Sequence, residues 1–489
     1  MNDNQTHDIP ESGELPEKLS YLLKYKSVKE FQKDILIKRS QVKKIYSSIM
    51  GIRDDTNESI LKKKKFDNRK KADNDLLFLR EGKGVLGIRQ FDKASIELFQ
   101  KIEPSLIKYL ESSTRPDNIL QNFARIMKNI PFPSLWYREF TDKKFLYSFL
   151  ELCENSQKTI DLFAEDEELH EYFISRKVFE KIDLTTSASF TIKKLLFTLS
   201  AQLMLGRINS YKFGDILQKN IIGKIKDTGA EVIPPGTDYF IAGLGSFGAG
   251  EMNFSSDIDL LFIVKDQAEQ FELQKSFQKL LLKLKKSLQP FETDCRLRPE
   301  GKSGQLVWDL TSYERYLKNR VRVWELQSLC KLKFISGDKN LFNKFKRLII
   351  QRISIEDGDN IRKEIKAMRK NLIPSGAMSQ MKIINLKRAS GGILDIEFSI
   401  QYLMLINPEL IDKLLNASHE KRILQLMPSE KGVRENYIFL KDLILRNQCI
   451  FSSSGYLFKE NEKENIMYKK DLHTILLANN KLFNKIMGN

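Results

Sequence analysis

Two aspartates, Asp257 and Asp259, stand one residue apart just before an apolar run, Leu260-Leu261-Phe262-Ile263-Val264. The length and β-branched content of that run predict a buried strand. Alternate side chains of a strand share a face, so the two carboxylates point the same way, about 7 Å apart. Like charges placed in this way repel and need a cation beside or between them. One or two carboxylates, completed by water and phosphate oxygens, are a ligand set suited to Mg²⁺. Upstream, the run Tyr239-Phe240-Ile241-Ala242 leads into a small-residue turn, Gly243-Leu244-Gly245-Ser246. Such a turn can bring backbone N–H groups close to a phosphate, which makes Gly245 and Ser246 candidates for nucleotide binding. A glycine turn alone is commonplace, and an isolated Asp-x-Asp is usually solvated. Their joint order is much rarer: strand, Gly-Ser, spacer, Asp-apolar-Asp, strand.

That order resembles the signature of the nucleotidyltransferase superfamily of the polymerase-β type. The resemblance implies a third carboxylate on a neighbouring strand, and Asp294 is the candidate. Before it, Phe271, Leu273, Phe277, Leu280, Leu281 and Leu284 recur at helical spacing, and Pro290 breaks the pattern. In residues 291–299, alternation puts Asp294, Arg296 and Arg298 on one strand face, with Cys295 and Leu297 on the other. Asp294 would take a metal or a proton, and the guanidiniums would offer forked donors to phosphate oxygens. The plainer alternative is a solvent-exposed ion-pair strand.

Four linked blocks resemble one family within that superfamily, the adenylyltransferase that modifies glutamine synthetase. They are the Gly-Leu-Gly-Ser to Asp-Ile-Asp-Leu stretch at 243–260, the Asp-Cys-Arg-Leu-Arg-Pro loop from Asp294, the Trp324-Glu325 block ending at Lys331, and Lys387 with Gly391-Gly392-Ile393-Leu394-Asp395-Ile396-Glu397-Phe398. The specific similarity covers about residues 230–405. It implies Mg²⁺ at Asp257, Asp259 and Asp294, and ATP phosphates near Gly245, Ser246, Arg296, Arg298 and Lys387. Glutamine synthetase would be the protein substrate, and a PII-type signalling protein is among the implied partners. Glu325, Lys387, Asp395 and Glu397 would border the site, with helix–helix ion pairing as the alternative. Members of this family are long, with one unit that adds AMP to a tyrosine and one that removes it by phosphorolysis; here Ser-Asp-Ile-Asp-Leu occurs once. Asn253-Phe254-Ser255-Ser256 reads like the removing unit, whereas Asp294-Cys295-Arg296 and Leu394-Asp395-Ile396-Glu397 read like the adding unit. The usual Lys-Leu-Gly is replaced by Ser246-Phe247-Gly248. Three readings therefore stand: adenylylation, phosphorolytic deadenylylation, and a non-catalytic relative that binds the synthetase or nucleotide. The two blocks of adding type favour the first.

A chain of 489 residues makes roughly two to four domains. The elements predict an α+β protein, with a small polymerase-β-type nucleotidyltransferase α/β core flanked by helical domains. The expected organisation is a disordered tail over 1–18, a helical domain over 19–189, the catalytic domain over 190–350 and a second helical domain over 351–489. Residues 312–350 are expected to be helical. The net charge of +17 is spread along the chain, with one dense cluster at Lys62-Lys63-Lys64-Lys65 and Arg69-Lys70-Lys71. Without aromatic interleaving this reads as solvated lysine faces rather than a nucleic-acid site. No apolar run approaches the roughly eighteen residues of a membrane span, and the N-terminus lacks signal-peptide character. The four cysteines show no Cys-x-x-Cys spacing, which suits reduced thiols and a cytoplasmic location. His7, His170, His419 and His473 lie outside the motif blocks, which argues against histidine-based chemistry.

Overall fold

The computed structural model describes residues 14–49, 66–83, 90–182, 190–266, 270–374, 381–415, 417–453 and 455–488. The chain divides into two compact units, residues 1–67 and 68–489. The first contains helices Glu14–Leu22 and Val28–Ile49. In it, Phe31 is buried edge-on against Tyr25, whose hydroxyl donates to Asp34. Most of the expected tail, and the Lys62–65 cluster, lie outside the described residues, while Glu14 already opens a helix. Arg69, Lys70 and Lys71 are exposed in the first turn of the Arg69–Glu81 helix of the second unit.

The second unit is mostly helical around a small mixed sheet, an α+β arrangement. Strands β1 (Tyr239–Leu244), β2 (Ile258–Val264), β3 (Thr293–Asp294), β4 (Val307–Asp309) and β5 (Lys333–Gly337) form it in the order β3-β2-β1-β5, with β4 also pairing β2. Strands β1 and β2 are antiparallel, with Leu244 opposite Asp259, and β5 runs antiparallel to β1. Both β3 and β4 run parallel to β2 along one edge, Asp294 opposite Asp259 and Trp308 opposite Ile263. The return from β2 is made by helix Gln270–Ser287, as the apolar spacing there predicts.

Alternation along β1 and β2 sorts side chains between two cores. Ile241, Ile258, Leu260 and Phe262 pack with helices Ile192–Met204, Ser210–Val232 and Gln270–Ser287. On the other face, Phe240, Ala242, Leu261 and Ile263 join a core reaching Phe345, Ile396, Leu440 and Leu472. Asp259 shares the period of Leu261 and Ile263, so it faces the side covered by the C-terminal helices. Two expectations change here. Residues 312–350 are not continuous helix, because β5 intervenes and caps the sheet edge. The boundary read at 350/351 also falls inside helix Lys339–Ser354, whose Leu341, Phe345 and Ile353 belong to the same core as β1. Among the described residues, no helix is long and apolar enough to cross a membrane.

Candidate active site

The turn after β1 forms a short helix, Gly245–Ala249. Gly245 has φ +57°, and a Cβ there would sit 2.0 Å from Asp259 Oδ2. Only glycine allows this backbone to lie against that carboxylate. Gly248 is as tightly placed, since a Cβ would meet Lys331 O at 2.2 Å and Gly243 O at 2.6 Å. Ser246 O accepts from Glu251 N–H at 2.9 Å and so closes the turn.

The structure brings Asp257, Asp259 and Asp294 together. Asp294 enters through the parallel register of β3 with β2, and Asp257 stands just before β2 in phase with Asp259. Burial pushes the Asp259 carboxyl up to about 6, and the charges of Asp294 and Asp257 push the same way, against Lys331 and Lys387. Asp257 is also raised, by desolvation first and then by Glu292 and Asp294, with Arg296 and Lys387 opposing. These carboxylates repel one another, and an oxygen-donor set of this kind could hold a divalent cation that relieves the repulsion.

The arginines separate. Strand β3 ends at Asp294, so the strand alternation expected over residues 291–299 does not extend to Arg296 and Arg298. Arg296 turns back onto Asp294, its backbone N–H donating to Oδ1 at 2.8 Å and its Nε to Oδ2, and its own side chain is exposed. Arg298 instead donates to backbone carbonyls: to Gln305 O at 3.0 Å, to Gly304 O at 3.0 Å, and to Cys295 O at 2.5 Å. It staples the excursion between β3 and β4 rather than presenting its fork to solvent. We expect Arg298→Lys, which keeps the charge but not the fork, to speed proteolytic nicking within residues 295–306 several-fold; unchanged resistance would remove the staple assignment.

Lys387 is half-buried, with its ammonium 4.7 Å from the Tyr456 ring centroid. Its charge acts on Asp257, Asp259 and Glu397. Of the other residues expected at the border, Glu325 caps its own helix by accepting from Arg322 N–H at 2.9 Å and also accepts from Tyr316 OH of the preceding helix at 2.6 Å. Asp395 is buried against Arg369 and accepts from Gly391 N–H at 2.6 Å. Asp395 thus follows the helix–helix ion-pairing alternative, while Glu325 serves as a helix cap. Glu397 pairs with Lys331 at 2.8 Å; burial raises its carboxyl, but Lys331, His419 and Lys387 together hold it below the usual range.

Sequence reading missed Lys331 as a site residue, although it closes the Trp324-Glu325 block. It also missed Glu251 and His419. Among the described residues, the three-ligand cluster with atoms within 4.8 Å of one another is Glu251, Glu397 and His419, not the three aspartates. That cluster already holds the ammonium groups of Lys331 and Lys441, and a metal there would face both.

Residues 221–348 match the family described as glutamate-ammonia ligase adenylyltransferase. Curated relatives carry the name bifunctional glutamine synthetase adenylyltransferase/adenylyl-removing enzyme. The one from Chromobacterium violaceum is 31% identical over 184 residues, 36% of this chain and 20% of that protein. The one from Aromatoleum aromaticum is 32% identical over 210 residues, 40% of this chain and 22% of that protein. A longer match, to Thioalkalivibrio sulfidiphilus, is 22% identical over 501 residues and covers 84% of this chain and 51% of that protein. The matched stretches thus span about half of these relatives at most.

Proposed function

We propose, for a chain whose residues 221–348 belong to the glutamate-ammonia ligase adenylyltransferase family, that it transfers AMP from ATP to a tyrosine of glutamine synthetase. The sheet and its carboxylates are read as a polymerase-β-type nucleotidyltransferase core. The observation that carries this reading is the gathering of Asp257, Asp259 and Asp294 at the ends of β2 and β3, with Asp259 raised to about 6. Asp257, Asp259 and Asp294 would hold Mg²⁺, which supplies charge stabilisation of the attacking and leaving oxygens. Gly245 and Ser246 bear on the phosphates from the turn, and Arg296 and Lys387 supply cations beside them. Lys387 thereby provides a positive charge of the kind the Ser246-Phe247 replacement removes from the turn.

The tyrosine oxygen attacks the α-phosphorus, the bond to the β-phosphate oxygen breaks, and pyrophosphate leaves. A carboxylate of the cluster accepts the tyrosine proton, whose pKa of about 10 makes a base useful. The relatives' names include both the adding and the removing activity, and the same carboxylates would serve phosphorolysis. The blocks at Asp294-Cys295-Arg296 and Leu394-Asp395-Ile396-Glu397 support the adding direction.

The test incubates the protein with Mg²⁺, labelled ATP and unmodified glutamine synthetase, and reads the synthetase by mass spectrometry. One added AMP per modified subunit is expected. Loss of AMP as ADP from modified synthetase given phosphate, with no addition in the first reaction, would reverse the direction. Binding of the synthetase without either reaction would leave a non-catalytic relative.

A further inference from the structure

The turn at 245–250 carries a hydrogen bond of its own, Gly250 N–H to Phe247 O at 3.2 Å, and is braced from helix Ser210–Val232 by Gln218, whose Nε2 donates to Phe247 O. Its last hydrogen bond is made by Glu251, whose N–H donates to Ser246 O at 2.9 Å. The Glu251 side chain points away from the sheet into the C-terminal helices. There Tyr437 OH donates to Oε2, and His419 Nδ1 lies 2.8 Å from Oε1. Lys441 donates to the Glu251 backbone carbonyl at 2.9 Å, with its ammonium also 3.8 Å from Oε2. Tyr437 and Lys441 come from helix Val433–Ile450, and His419 opens helix His419–Leu426. His419 is fully buried and stacks on the Tyr437 ring at 5.7 Å.

The adjoining cavity, lined by Glu251, His419, Tyr437 and Lys441 among others, is about 30 Å³, room for about one water and not for a metabolite. With two ammonium groups already at hand, the cluster is built as a clamp rather than as a ligand site. A buried carboxylate with several donors is stiff, because releasing any one donor leaves a charge short of partners in a water-poor place.

We infer that Glu251 is a positioning residue that locks the C-terminal end of the 245–250 turn to the C-terminal helices, so that the geometry offered to the phosphates depends on residues 419–441 as well as on Gln218. The catalytic unit would then include these helices instead of ending near residue 350. The inference rests on the nucleotide reading above only for the purpose of the turn, not for the clamp.

Hydrogen exchange on the full chain without nucleotide tests it, comparing wild type with Tyr437→Phe and with Lys441→Met. We expect exchange at the amides of residues 246–251 to quicken by about tenfold while β1 and β2 stay protected, because local opening is relieved of its restraint. In calorimetry with ATP and Mg²⁺, the same variants should bind about tenfold more weakly, since the turn must be ordered on binding. Turn exchange unchanged in both variants overturns the clamp, as does loss of protection spread evenly over the sheet. Faster turn exchange in a protein that binds no ATP supports the clamp and removes the nucleotide reading instead.

Discussion

Asp259→Asn should lower AMP transfer by about a hundred- to a thousandfold, because it removes a charged ligand of the Mg²⁺ that would stabilise the attacking and leaving oxygens. The same change should make the metal-free protein more stable. The Asp259 carboxyl titrates near 3.8 when unfolded and is pushed to about 6 in the fold, first by burial and then by Asp294 and Asp257. Folding therefore favours the protonated form. The stabilisation is full below about 3.8 and is lost as pH rises through about 6, a penalty of up to about 3 kcal/mol at neutral pH. Asparagine does not ionise and escapes that penalty. Thermal melts from pH 4 to 8 should show the variant gaining on wild type as pH rises, and Mg²⁺ should close the gap by stabilising wild type alone. Near-wild-type turnover, or a variant that melts no higher at pH 7 without metal, would count against the assigned site.

Arg369→Met should cause the largest loss of stability, about 3–5 kcal/mol, because it leaves a buried carboxylate without its cation. Arg369 and Asp395 are both 2% exposed at the side chain. Arg369 also donates to Arg388 O at 3.0 Å and to Ala389 O at 2.7 Å, which ties helix Gly358–Leu372 to the turn before helix Ile393–Leu405. Asp395 holds the other side of that turn through Gly391 N–H. Gly391 has φ +79°, and a Cβ there would lie 1.8 Å from Leu476 O, so the Gly-Gly block serves packing. Asp395→Leu added to Arg369→Met should recover part of the loss, since the stranded charge goes but Gly391 N–H stays unpaired. Denaturant unfolding checks both variants. A single-variant cost under about 1 kcal/mol would mean that the pair is not a buried anchor.

The elements that depend on near neighbours can be read along the chain alone. Length and β-branched content marked β2, apolar spacing marked helix Gln270–Ser287, and Asp-x-Asp put two carboxylates in phase, Asp259 within β2 and Asp257 just before it. Motif order also pointed to Asp294 as the third carboxylate. Strand β5 was legible in principle, since Phe334-Ile335-Ser336 is a short β-rich run before Gly337-Asp338, but helical stretches on both sides masked it. The arginines could not be placed by period, because β3 pairs for only two residues and the chain then turns; Arg298 found carbonyls instead of phosphate-facing space. What the sequence could not contain is which distant charges meet. Glu251 reaches Tyr437 across 186 positions and Lys441 across 190, and Lys331 reaches Glu397 across 66. Such pairings have no local period. They follow from the packing of the C-terminal helices over one face of the sheet, where each buried charge must find a partner or remain costly.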